Sequence, residues 1–71
     1  MKDSMNNKIR VGDFVEFDLE KTCGKIDHFY TFQGKAYALI RDFELGGYDR
    51  QICKIRKLTD NEAMIYILEN S

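Results

Sequence analysis

The sequence predicts a single mainly β domain that ends in a short helix, and three observations carry that reading. At 71 residues the chain has room for one core and no second domain. Apolar residues alternate with charged ones at Val15, Phe17 and Leu19, and Gln33-Gly34 separates two stretches dominated by β-branched and aromatic side chains. Thr59-Asp60-Asn61-Glu62 carries the pattern of a helix start. A content of 44% hydrophobic and 32% charged residues belongs to a globular chain rather than a disordered one.

Met1 to Lys8 is polar and without periodicity, and is expected to be a flexible tail over residues 1–8. In IRVGDFVEFDLE, Gly12-Asp13 marks a turn, after which Val15, Phe17 and Leu19 alternate with Glu16, Asp18 and Glu20 as in a half-buried strand. Phe14 departs from the alternation and falls on the polar side. Cys23 to Phe32 reads as one long, bent strand in which Gly24 is the only breaker. Strict alternation puts Ile26, His28, Tyr30 and Phe32 on one face, with Lys25, Asp27, Phe29 and Thr31 on the other. Gln33-Gly34-Lys35 suits a hairpin connection, since Gly34 can take a positive φ, and Ala36 to Phe43 follows as the return strand.

The run Glu44-Leu45-Gly46-Gly47 breaks that strand and starts a second hairpin. Ile52, Ile55 and Leu58 then recur every third residue, which fits a strand interrupted by one turn of 3₁₀ helix. From the capping box at Thr59 a helix is expected to run to Glu69, although Ile65-Tyr66-Ile67 would also suit a strand. Internal repeats and proline are absent from the sequence.

This order of elements resembles the Src-homology-3-like barrel superfamily. IRVGDFVEF is similar to the opening strand of KOW, Tudor and bromo-adjacent-homology domains, CGKIDHF to their second strand with Gly24 and Ile26 in place, and ICKIRKLT to their 3₁₀ turn and closing strand. The resemblance covers Ile9 to Thr59. It implies a small five-stranded barrel over 9–59, with the helix 60–69 packed on the barrel or on a partner. It further implies a binding module, and it leaves the ligand open, because such barrels bind peptides, modified side chains, RNA, DNA and other proteins.

No catalytic constellation is expected from the residues present. Cys23 and Cys53 lack CxxC spacing and His28 is the single histidine, which argues against a structural zinc site and for reduced, largely buried thiols in a cytoplasmic chain. Cys23 and His28 are five residues apart, about 16–17 Å along one strand and on opposite faces. Cys53 with His28 is the remaining pair that a nucleophile mechanism would use. No phosphate-binding glycine loop occurs, and the carboxylate pairs Asp18/Glu20 and Asp42/Glu44 read as solvated strand faces. Neither a cofactor nor a metal is expected. A signal peptide and a run of about 18 apolar residues are both lacking, so no membrane partner is expected.

Eleven basic against twelve acidic residues give a net charge of −1, which argues against binding driven mainly by bulk attraction to nucleic acid or anionic lipid. Locally, Arg50, Lys54, Arg56 and Lys57 form a basic strip in the sequence, and Asp13, Glu16, Asp18 and Glu20 an acidic one. The basic strip beside Tyr48 or Tyr37 would suit a single-strand nucleic-acid reader, whereas pairing of the two strips would be purely structural. Five phenylalanines and four tyrosines exceed what so small a core encloses. Phe14, Phe29, Tyr30, Phe32, Tyr37 and Tyr48 are therefore the expected aromatic binding surface. The apolar helix, with Met64, Ile65, Ile67 and Leu68, must plug its own barrel or meet another subunit.

The leading functional expectation is a non-enzymatic protein-interaction module or small inhibitor. Its composition suits an accessory protein of an AT-rich bacterium or its phage, such as one that blocks a host defence enzyme. A nucleic-acid-binding barrel and an oligomeric sponge for a nucleotide signal are the alternatives.

Overall fold

A computed structural model of the chain describes residues 1–17, 22–43 and 46–70. The expected continuation of the first strand through Leu19, the Asp18/Glu20 pair and Glu44 lie outside the described residues. The elements are β1 (Phe14–Phe17), β2 (Thr22–Phe32), β3 (Lys35–Arg41), β4 (Gly47–Gln51), a 3₁₀ turn at Ile52–Lys54, β5 (Ile55–Lys57) and α1 (Asp60–Glu69). They form one five-stranded sheet in the order β4-β3-β2-β1-β5, with every neighbour antiparallel. The sheet is open, with β4 and β5 at its two ends. The expected closed barrel is thus met as a mainly β sheet with a C-terminal helix. The three-residue 3₁₀ turn carries the chain from one edge strand to the other with no ladder between β4 and β5.

Alternation sends Val15 and Phe17 inward, 0% and 2% exposed, where they join Ile9, Ile26, Ala38, Ile40 and Ile55 in the core. Phe29, Tyr48 and Ile52 pack against its margin. The β2–β3 hairpin turns through Gln33 and Gly34, whose φ values of 52° and 78° are the paired positive angles that a two-residue turn between twisted strands requires. One residue upsets the expected faces of β2. Ile26 pairs with Ile40 but His28 pairs with Leu39, so Asp27 is an inserted residue, a β-bulge. Beyond it the alternation is inverted: Ile26 and Phe29 face the core, while His28, Tyr30 and Phe32 face out.

Residues 1–8, expected as a loose tail, are instead folded onto β5. Met1 carbonyl accepts from Ile9, Lys2 bridges Lys8, and Ser4 N–H donates to the Ile55 carbonyl at 2.8 Å. The cause is Asp3, only 6% exposed, whose carboxylate accepts from the backbone N–H groups of Met5, Asn7 and Lys57. A polar sequence can be held this way because the strand edge offers donors that need an acceptor.

The capping box forms as expected: Glu62 N–H donates to the Thr59 hydroxyl at 3.2 Å, and Thr59 N–H to the Glu62 carboxylate at 2.9 Å. Phe14 and Glu16 alternate with the core residues of β1, and both meet groups bound up with α1. Phe14 stacks edge-on with Tyr66 at 5.8 Å, and Arg56 bridges Glu16 at 2.6 Å and Glu62 at 2.8 Å. The helix therefore lies on the outer face of β1 and does not plug the core. Arg56 and the capping bonds hold the Glu62 carboxyl down at about 2, below its ordinary 4.5. A depressed carboxyl stabilises the fold above its unfolded value and ceases to do so as pH falls through its folded value. Helical circular dichroism is accordingly expected to decline between about pH 4.5 and 2, and Glu62→Gln should flatten that decline. An unchanged acid limb in the Gln variant would show that the bridge contributes nothing.

Candidate functional site

The six aromatic residues expected to form one binding surface are divided among three places. Phe29 and Tyr48 serve the core, Tyr48 packing 5.2 Å from the Phe17 ring. Phe14 lines a groove of about 490 Å³ between the Gly12 turn, the end of β3 and α1, together with Val11, Phe43 and Tyr66. Phe43 and Tyr66 are 5.3 Å apart in its wall, and the Tyr66 hydroxyl donates to the Cys23 carbonyl at 2.9 Å. Tyr66 was not singled out from the sequence, although its position four residues after Glu62 marks it as belonging to the anchored side of the helix.

Tyr30, Tyr37 and Phe32 come together on the outer face of the β2–β3 hairpin. Tyr30 and Tyr37 are directly opposed in the ladder, and their rings stack at 5.5 Å with an angle of 12°. Because Asp49 of β4 pairs with Leu39 on this same face, its carboxylate reaches the Tyr30 hydroxyl, which donates at 2.7 Å. That bond pushes the Tyr30 pKa up to about 12, so the hydroxyl keeps its proton and its orientation through the neutral range. His28 continues the row 6.0 Å from Tyr30, and Phe32 ends it, 59% exposed. His28 Nδ1 donates to Asp27 at 2.9 Å, and that bond first, then Arg41 at 3.7 Å, holds the Asp27 carboxyl below its usual range. The His28 position follows from the bulge and the Asp49 position from the β3–β4 register, neither of which the sequence displays.

The basic strip is not a strip in three dimensions. Arg50 pairs with Ala38 on the inner face, and its guanidinium sits 5.3 Å over the Phe17 ring and 5.7 Å over Tyr48. Arg56 points outward between Glu16 and Glu62, whose carboxylates raise its pKa further above the ordinary range. Lys57 lies 3.7 Å from Asp13. Lys54 is exposed on the 3₁₀ turn. Three of the four cations thus meet an acidic side chain or an aromatic face, and the four project from different sides of the sheet.

No disulfide joins Cys23 and Cys53. Cys53 is exposed rather than buried, because the 3₁₀ turn directs it away from the core, while burial pushes the half-buried Cys23 thiol up, away from the reactive thiolate. Among the described residues no group of three His, Cys, Asp or Glu side chains is placed to hold a metal ion, and no helix is long and apolar enough to cross a membrane. Comparison with protein-family models, with curated proteins and with solved structures finds no match for the chain.

Proposed function

We propose that the chain is a non-enzymatic binding module of the small Src-homology-3-like kind, and that its ligand is a protein surface. The strand order, with a 3₁₀ turn leading into a β5 that pairs with β1, supports the fold assignment. The observation that carries the functional reading is the stacked Tyr30–Tyr37 pair, fixed by Asp49 and half-buried on the outer face of a hairpin beside the exposed Phe32. Rigid aromatic rings lose little entropy on binding and anchor protein interfaces. Carboxylates interleave these rings at Asp27 and Asp49, which repels a phosphate backbone and favours arginine or lysine, which can lie over a tyrosine ring and reach a carboxylate together. The dispersal of the basic strip, with Arg56 and Lys57 beside carboxylates and Arg50 over aromatic rings, points the same way. Occlusion of a partner's surface by this face suits an accessory or inhibitory role.

The test is capture from a native-host lysate on immobilised full-length chain, with and without nuclease, repeated with Tyr37→Ala. A protein retained through nuclease treatment, and weakened at least about tenfold by Tyr37→Ala, is the expected outcome. Loss of all captured material on nuclease treatment would replace this reading with the nucleic-acid one. Retention unaffected by Tyr37→Ala or Phe32→Ala would remove the face from the interface.

A further inference from the structure

We infer that the groove between the Gly12 turn, the end of β3 and α1 is a binding site for a small aromatic carboxylate. This goes beyond the proposed protein-binding face, since none of Tyr30, Phe32 and Tyr37 lines the groove. The register lays the site down. Phe14 pairs with Lys25, and Lys25 with Arg41, so the three residues form one row across β1, β2 and β3. Directly opposed residues share a face of the sheet, and the contact of Phe14 with Tyr66 shows that this is the face α1 lies on. Along the row the rings of Phe14, Tyr66 and Phe43 make a wall, Tyr66 standing 5.8 Å from Phe14 and 5.3 Å from Phe43. The bond from the Tyr66 hydroxyl to the Cys23 carbonyl holds that wall in place before any ligand arrives, which lowers the cost of binding. Phe43 is 49% exposed, so much of its ring is left for a ligand to cover. The volume of about 490 Å³ lies within the range of sites for small organic ligands and admits two fused rings.

The charges around the groove select the polar group of the ligand. Lys25, Asp27, Arg41 and Asp42 all line it. Asp42 accepts from the Gly46 N–H at 2.8 Å and from the Tyr48 hydroxyl at 3.2 Å. Asp27 accepts from His28 at 2.9 Å and has Arg41 3.7 Å away. Lys25 alone of the four has no hydrogen bond or ion pair among the described residues. Its stem passes the Gly12 turn, with Cε 3.9 Å from where a Gly12 Cβ would stand, which places the ammonium end beside that wall of the groove. One ammonium without a partner, next to aromatic rings, calls for one negative charge on a flat apolar body. A carboxylate supplies it. A phosphate dianion fits less well, because it would draw on a second cation while facing Asp27 and Asp42. A cationic ligand would meet Lys25, with both carboxylates already accepting bonds within the fold.

The experiment is titration of the full chain with 2-naphthoate, with the neutral 2-naphthylmethanol and with adenosine monophosphate, followed by amide chemical shifts. Saturable binding of 2-naphthoate is expected at about 1 mM or tighter, with the shifts centred on Gly12, Lys25, Phe43 and Tyr66. Lys25→Met, at an exposed position, should weaken 2-naphthoate about tenfold and leave 2-naphthylmethanol unchanged, a difference that general damage to the fold would not produce. Phe43→Ala should weaken both. Tyr37→Ala, the variant expected to lose protein capture, should bind 2-naphthoate as wild type does, so failure of the one reading is distinguishable from failure of the other. No saturable shift up to about 10 mM overturns the inference. So does an equal effect of Lys25→Met on the acid and the alcohol, tighter binding of adenosine monophosphate than of 2-naphthoate, or a set of shifts centred on Tyr30 and Tyr37.

Discussion

Replacing Asp3 by alanine is expected to destabilise the protein by about 2–4 kcal/mol, more than any surface substitution. The carboxylate is 6% exposed and accepts three backbone N–H groups, Met5 at 3.0 Å, Asn7 at 2.8 Å and Lys57 at 2.6 Å. Alanine leaves these donors without their acceptor in a site that water reaches poorly, and each stranded amide costs about 1–3 kcal/mol when it cannot be resolvated. Two of the three belong to the N-terminal turn and can reopen to solvent, which keeps the total below the sum. Lys57 cannot move so easily, because it is also paired with Val15 in the sheet. Asp3→Asn should cost less than alanine, since one oxygen survives to accept.

Burial alone would raise the Asp3 carboxyl, but the amides outweigh it and the group titrates below its ordinary 3.8. Its stabilisation is complete above that value and is lost as pH falls below it, so the deficit of Asp3→Ala should shrink in acid. Urea unfolding at neutral and low pH measures both effects. A midpoint for Asp3→Ala within error of wild type at pH 7 would show that the turn adds nothing to β5.

That knot marks where a sequence stops being legible. Its three donors include one 54 positions away, and MKDSMNNK offers no periodicity to betray the fold it adopts. Features whose physics is local were readable: the Thr59–Glu62 capping box, the Gln33-Gly34 turn, and the three-residue spacing of Ile52, Ile55 and Leu58 that became a 3₁₀ turn and β5. The aromatic face was half readable. Tyr30 and Phe32 share a side by simple alternation, but the bulge at Asp27 divides them from Ile26, and an inserted residue leaves no trace in a period of two. The basic cluster failed for a related reason. Neighbours in sequence from Arg50 to Lys57 pass through an edge strand, a turn and the opposite edge strand, so proximity along the chain says nothing about a shared surface. The apolar residues Met64, Ile65 and Leu68 were visible in the sequence, while their exposure depended on the bonds of Glu62 to Arg56 of β5 and of Tyr66 to the Cys23 carbonyl of β2, which turn the other side of α1 to the sheet.

Gly24→Ala is the other substitution with a large expected effect, about 3 kcal/mol, and its cause differs from that of the turn glycine. Gly34 has a φ of 78° and nothing within 4 Å of the position its Cβ would take, so Gly34→Ala costs only the backbone strain, about 1 kcal/mol. Gly24 is buried, in β2 opposite Val15, and an added Cβ would lie 2.6 Å from Ile40 Cγ2 and 2.9 Å from the Arg41 carbonyl oxygen. Neither neighbour can give way cheaply. Ile40 is 0% exposed in a close-packed core, and the Arg41 oxygen belongs to the β3 backbone.

The overlap sits where β2 passes from its pairing with β1 to its pairing with β3, so relief requires the two halves of the sheet to separate at their shared strand. Such a separation loosens Ile26 and Ile40 together, which is why the cost is placed at the upper end for an added methyl group. Denaturant midpoints of Gly24→Ala and Gly34→Ala measured side by side give the contrast. Equal losses would mean that β2 and β3 approach less closely at Gly24 than the register requires. A loss much larger in Gly24→Ala than in Gly34→Ala would identify this crossing as a point where the close approach of β2 to Ile40 and the Arg41 carbonyl admits no side chain.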